Sequence, residues 1–222
     1  MSTTTALELV VPWSNAKIYV FIQLVQSFKI LNKIIVVRFI NLGLMKIYLV
    51  FLRGINVSGQ KKIKMADLKQ LLLTKGFNTV VTYIQSGNIL VRSNKDKTEV
   101  GNLIRQAISD TYGFTVPTFV ATPEEIQVIL NRNPFNKLAE ENKHYFVLLI
   151  QKPEHNLITE LEIESFKNEE FKVAENCVYL VCKAGMGKAK LNNNLIEKKL
   201  NILATTRNLR TMKKMLDIAS TN

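Results

Sequence analysis

The run from Lys46 to Leu52, KIYLVFL, constrains this chain more than any other stretch. It is short, apolar and rich in β-branched and aromatic residues, the signature of a buried strand. Arg53-Gly54-Ile55-Asn56-Val57-Ser58-Gly59 follows at once, and this is turn chemistry, because glycine reaches positive φ cheaply and asparagine tolerates it. Met65, Leu68, Leu71 and Leu72 then recur at helical spacing, and Gly76 is placed to end that helix. The unit is strand, polar loop, helix, and loops at strand ends are where sites tend to be carried. Neither G-x-G-x-x-G nor G-x-x-x-x-G-K-[ST] occurs in it, so no nucleotide fingerprint is present. The plainer reading is a tight connection in which Arg53 pairs with a carboxylate and Asn56 caps the turn.

Downstream the alternation continues. Thr79 to Ile84 reads as a second strand, Gln85-Ser86-Gly87-Asn88 as a tight turn and Ile89 to Arg92 as a third strand. Asp96 with Glu99 opens a helix carrying Val100, Leu103, Ile104, Ala107 and Ile108; Gly113 closes it and Thr115 to Val120 is a fourth strand. The order is βαββαβ, the ferredoxin-like arrangement. Thr122-Pro123-Glu124-Glu125 is a strong helix start, with Thr as cap, Pro at the first position and acids in the first turn.

After a charged connector, Lys137 to Lys143, the order repeats. His144 to Gln151 is a strand, Pro153 to Ser165 an acidic helix, and Glu170 to Ala174 with Cys177 to Cys182 a strand pair. Lys188 to Lys199 is a basic helix, Asn201 to Ala204 a short strand and Leu209 to Ala219 a last helix. The expected fold is α+β: two tandem ferredoxin-like halves, 45–136 and 137–222, with additional helices. Residues 1–44 do not resemble the rest; their longest uncharged run, Ile18 to Phe28, is too short to span a bilayer, which needs about 20 residues. They are expected to be an extension upstream of a natural start at Met45, with an interfacial basic helix as the second reading.

Charge narrows the partners. The chain carries 30 basic and 18 acidic residues, a formal net charge of +12. Residues 183–222 hold 9 basic and 2 acidic residues, so +7 of the surplus lies there and favours an anionic partner. The excess is lysine, 23 against 7 arginines, which reads phosphates and bases less well than arginine and fits a solvated basic face. Cys177 and Cys182 are five apart on a strand, hence on opposite faces, and read as reduced core residues of a cytoplasmic protein.

Three polar clusters follow apolar strands: Arg53-Gly54-Ile55-Asn56, Gln85-Ser86-Gly87-Asn88 and Thr205-Thr206-Arg207-Asn208. The third is at a helix start, where free N–H groups favour an anion that Arg207 would grip; Thr206 or Asn208 as a helix cap is the bland alternative, and it does not call for Arg207. Gly185-Met186-Gly187-Lys188 is only a fragment of a phosphate loop. His144 and His155 lie eleven apart, and H-E-x-x-H, C-x-x-C and G-x-S-x-G are all missing, so no catalytic residue, metal site or cofactor is assigned.

Several of these motifs carry a resemblance: Leu52-Arg53-Gly54-Ile55-Asn56-Val57, Ile63-Lys64-Met65 with Leu68, and Gly76-Phe77. Thr82-Tyr83-Ile84-Gln85-Ser86-Gly87-Asn88, Asn133-Pro134-Phe135 and Thr205-Thr206-Arg207-Asn208 with Thr211 extend it. From Met45 to Ala219 the chain resembles a widespread bacterial family called domain of unknown function DUF 1697, departing from its usual pattern at Ser58. The resemblance implies tandem ferredoxin-like halves and no established activity. The expected function is a binding module for an anionic or phosphorylated small ligand. Its site would comprise Arg53, Gly54, Asn56, Ser86, Gly87, Asn88, Arg207 and Asn208. The alternatives are a nucleic-acid-binding protein using the basic C-terminal region, or an enzyme of unknown reaction. No membrane partner is expected.

Overall fold

A computed structural model describes residues 20, 22–33, 45–57, 59–136 and 140–222. The chain divides into two compact units, 1–44 and 45–222. Residues 22–33 are helical and exposed along their length. The expectation that 1–44 is an extension concerns residues that mostly lie outside those described, as do Ser58 and part of the connector, 137–139.

In the larger unit the apolar runs pair into two four-stranded antiparallel sheets. The first contains β1 (Lys46–Leu52), β2 (Thr79–Tyr83), β3 (Asn88–Ser93) and β4 (Thr118–Ala121), in the order β2-β3-β1-β4. The second contains β5 (His144–Leu149), β6 (Glu169–Val173), β7 (Cys177–Cys182) and β8 (Ala204–Asn208), in the equivalent order β6-β7-β5-β8. Helices α1 (Met65–Thr74) and α2 (Lys97–Tyr112) connect the first set, and α4 (His155–Glu162) and α5 (Asn193–Leu200) the second. Between the sets runs α3 (Pro123–Asn131), and α6 (Leu209–Ser220) ends the chain.

Alternation along the strands builds three apolar layers, since successive side chains point to opposite faces. Tyr48, Val50 and Leu52 of β1 face α1 and α2 with Ile89, Val91, Leu68 and Ile104. Val147, Leu149, Val178, Leu180 and Cys182 face α4 and α5 in the same way. The other faces meet in a shared middle layer: Leu49, Phe51 and Leu90 from the first sheet, Phe146, Leu148, Cys177 and Tyr179 from the second. Ile126 of α3 and Met212 and Met215 of α6 fill the space between them. Both cysteines are free, and they do lie on opposite faces of β7.

The two strongest helix starts are built as read. Asp96 and Thr122 each form a capping box, with Glu99 and Glu125 respectively. Several boundaries differ. The fourth strand begins at Thr118, not Thr115, because Pro117 lacks an N–H and only its carbonyl joins β1, accepting from Arg53 N–H at 2.9 Å. The acidic helix shrinks to 155–162. The basic helix starts at Asn193, where the Asn192 side chain caps it, after a 3-10 turn at Met186–Lys188. The expected strand at Asn201–Ala204 is displaced: Asn201 adopts a left-handed φ of 52° that ends α5, and the strand is Ala204–Asn208 instead.

Candidate functional site

The displaced strand changes the third polar cluster from a loop into β8 itself. Phe146 is directly opposite Arg207 in the β5–β8 register, and side chains of opposed residues share a face. Arg207 therefore points into the middle layer, toward the first sheet. It is 8% exposed, and every nitrogen of its guanidinium donates. Nε donates to Asn88 Oδ1, and Nη1 donates to Thr205 Oγ1 and the Thr206 carbonyl, both at 2.8 Å. Nη2 donates to the Leu52 carbonyl at 2.8 Å and to the Ser86 carbonyl at 2.9 Å. The Phe51 ring lies 5.5 Å away, in cation–π range. All the acceptors are neutral, so carbonyl dipoles rather than a carboxylate stabilise the charge. Burial lowers the Arg207 pKa to about 9.

The second cluster is shaped to meet that arginine. Gly87 takes φ +77°, and a Cβ there would come within 2.7 Å of Leu52 Cβ, so no larger residue fits. Its carbonyl accepts from Leu52 N–H at 2.8 Å, continuing the sheet past the turn. Asn88 is buried as the first residue of β3 and its Nδ2 donates to the Tyr83 carbonyl at 3.0 Å, which turns Oδ1 toward Arg207.

In the first cluster Asn56, with φ 55°, braces the loop. Its amide donates to the carbonyls of Ile63 and Gln85, at 2.9 and 2.8 Å, and accepts from Ile63 N–H at 2.9 Å. Arg53 turns the other way, onto α5. Nε and Nη2 reach the two carboxylate oxygens of Glu197 at 3.0 and 2.6 Å, and Nη2 also reaches Asn194 Oδ1 at 2.6 Å. Burial alone would raise the Glu197 carboxyl. Its hydrogen bonds from Arg53 and Ala204 N–H outweigh that and hold it below the usual carboxylate range. Arg53 thus has the carboxylate partner that the plainer sequence reading called for, and Asn56 braces its turn.

Arg207 ties the second and third clusters together directly, and reaches the first only at its border, through the Leu52 carbonyl; Asn56 joins the first cluster to the second through the Gln85 carbonyl. Arg207 itself is fully occupied by protein, while Arg53 is half-buried and Ser86 exposed. Asn208 caps α6, accepting from Thr211 N–H at 2.8 Å, and Thr206 instead donates to Asn193 Oδ1. Asn133-Pro134-Phe135 is a separate turn, where Asn133 Oδ1 accepts from Phe135 N–H at 3.1 Å. What the sequence could not show was the acceptor set: four of the groups Arg207 contacts are backbone carbonyls, which leave no mark in residue identity.

The basic C-terminal residues do not form a single face. Helices α5 and α6 pack on opposite sides of the second sheet, and Lys199 and Lys213 are ion-paired with Glu164 and Glu141. Among the described residues no helix is long and apolar enough to cross a membrane, and no cluster of His, Cys, Asp or Glu is placed to hold a metal ion.

These features define an α+β protein of two antiparallel sheets locked by a buried arginine. A protein of the same fold is the conserved bacterial protein SP0830 from Streptococcus pneumoniae, 22% identical, with a TM-score of 0.62 over 78% of this chain and 98% of that one. The family model described as "Protein of unknown function (DUF1697)" matches residues 45–179, and the chain belongs to that family. No curated protein matches it.

Proposed function

We propose that the protein is a binding module for an anionic, phosphorylated small molecule, held over the rim where the RGIN and QSGN segments meet. In this reading Arg53 and the Ser86 hydroxyl contact the ligand. Gly54, Asn56, Gly87, Asn88, Arg207 and Asn208 fix the segments that present them. The observation that carries it is the convergence of three distant segments on a buried guanidinium whose acceptors are all neutral. An arginine with no carboxylate against it leaves a positive field, while Arg53, already neutralised by Glu197, would have to turn part of its guanidinium to the ligand. We also propose that 45–136 and 137–222 are each ferredoxin-like units and that the protein is cytoplasmic, in keeping with its two free cysteines.

A thermal-shift screen of the full chain against inorganic phosphate, nucleotides and sugar phosphates tests the reading. A ligand at ~100 times its dissociation constant stabilises a fold by about 2.7 kcal/mol. A hit abolished by Arg53→Ala and Ser86→Ala, but retained by Lys214→Ala, is the expected result. No hit across the panel, or a hit indifferent to both rim variants, overturns it.

A further inference from the structure

A cleft of about 500 Å³ lies elsewhere. None of the eight residues of the loop site lines it. One wall is the open edge of β4, which ends its sheet; the others are the start of α2, helix α3, the end of β5 and the β6–β7 turn. The floor is apolar, with Ala121, Ile129 and Leu149.

The backbone of β4 is set up to accept another strand. Arg53 N–H bonds the Pro117 carbonyl, so residues 53 and 117 form a hydrogen-bonded position of the β1–β4 ladder. In an antiparallel pair such positions alternate, and the next ones are Phe51↔Phe119 and Leu49↔Ala121. Thr118 and Val120 fall between them, so their N–H and C=O groups point away from β1, along the edge that lines the cleft.

Side chains on the two walls give the edge a charge preference. Arg105 reaches from α2, its guanidinium over Gly101 beside Val120, and its hydrogen-bond partner is the neutral Asn102 amide. Arg132 follows α3 on the opposite side of the edge, toward Tyr179 and Glu175. Lys97 is neutralised by Glu125 at 2.6 Å, and Glu175 by Lys152 at 2.7 Å. Glu124 is the remaining acid in the lining, against these two arginines.

We propose that this cleft binds an extended acidic peptide, which adds as a fifth strand to the first sheet beside β4. Paired strands carry opposed side chains on the same face, so a peptide residue opposite Val120 points toward Arg105 and its neighbour toward Arg132. Adjacent acidic residues therefore satisfy one arginine each. The walls decide between a peptide and a second copy of this chain. Arg105 and Arg132 line the edge, and a second copy would bring a chain of net charge +12 against them, whereas an acidic peptide complements them.

The test is fluorescence anisotropy of the full chain with a labelled hexapeptide, VTEETV, and its lysine counterpart VTKKTV. The acidic peptide is expected to bind at least tenfold more tightly, with the difference lost in the Arg105→Ala/Arg132→Ala variant. Val120→Pro removes an edge donor that the β1 ladder does not use, as proline is tolerated where the N–H faces outward. It should weaken the acidic peptide at least tenfold while leaving the circular dichroism spectrum unchanged. Equal binding of both peptides, or binding indifferent to Val120→Pro in the folded variant, overturns the proposal. So does concentration-dependent dimerisation that Val120→Pro abolishes. Retained phosphate-ligand binding in Val120→Pro separates this cleft from the loop site.

Discussion

Replacing Arg207 with methionine is the most informative perturbation of this fold. The side chains are of similar length, so the change keeps much of the apolar stem and removes the donors. It strands Asn88 Oδ1 and most of the hydrogen bonding to the carbonyls of Leu52 and Thr206, with the Thr205 hydroxyl at 3.4 Å the remaining donor to Leu52. Each buried acceptor left unsatisfied costs about 1–3 kcal/mol. Relief of the buried charge offsets part of that sum, and breaking a buried polar network by removing one member typically costs about 3–5 kcal/mol. For a unit this size, about 2–4 °C is lost per kcal/mol, so the midpoint should fall by roughly 6–20 °C. Urea denaturation measures the free energy directly, provided m is unchanged. Arg207→Lys should recover little, because an ammonium offers no planar fork. The Asn88→Leu/Arg207→Met double variant should be less destabilised than the sum of the singles, since each removes the other's orphaned partner. A loss below about 1 kcal/mol for Arg207→Met, a surface-like value, would show that the network is incidental.

Other positions give independent checks. Gly87→Ala combines left-handed strain with a 2.7 Å approach to Leu52 Cβ and should cost roughly 2–5 kcal/mol in the same urea assay. Arg53→Ala should cost about 1 kcal/mol at pH 7. Because Glu197 has its pKa lowered in the folded state, that contribution is present above the unfolded carboxylate pKa and lost as pH falls through the folded one; a titration from pH 7 to 3 should show the variant losing less stability than the parent. Thr122→Ala opens a capping box and should cost about 1 kcal/mol. The Cys177 thiol is pushed well up by burial and Cys182 to about 11, so both should resist alkylation at pH 8 until the protein is unfolded.

Where sequence reasoning succeeded, the signal was local and periodic. The strand runs around Leu49, Leu90 and Val147, the capping boxes at Asp96 and Thr122, and the opposed faces of Cys177 and Cys182 all follow from spacing over a few residues. It failed where the decision was tertiary. Thr205-Thr206-Arg207-Asn208 looked like a loop because it is polar, yet β5 claims it as an edge strand and turns Arg207 inward. Arg207 stands out by its chemistry, but apart from Thr205 and Thr206 on its own strand its partners are carbonyls and one amide from the other end of the unit. Nothing in the order of residues 183–222 showed that their lysines would be divided between two helices on opposite sides of a sheet.

The middle layer has a consequence for biosynthesis. The inner face of the first sheet, with Phe51 and Leu90, is covered by α6, whose Met212 and Met215 are within the last eleven residues of the chain. During translation α3 and the second sheet can reach that face first, but the part that α6 covers stays bare until the helix emerges, and the guanidinium that ties its β1 terminus arrives almost as late. The first sheet can form early, but it becomes native only once α6 has left the ribosome. Nascent chains of this protein are therefore natural clients for chaperones that shield apolar surface, and a stop codon anywhere before α6 should yield an aggregating product rather than a smaller folded one.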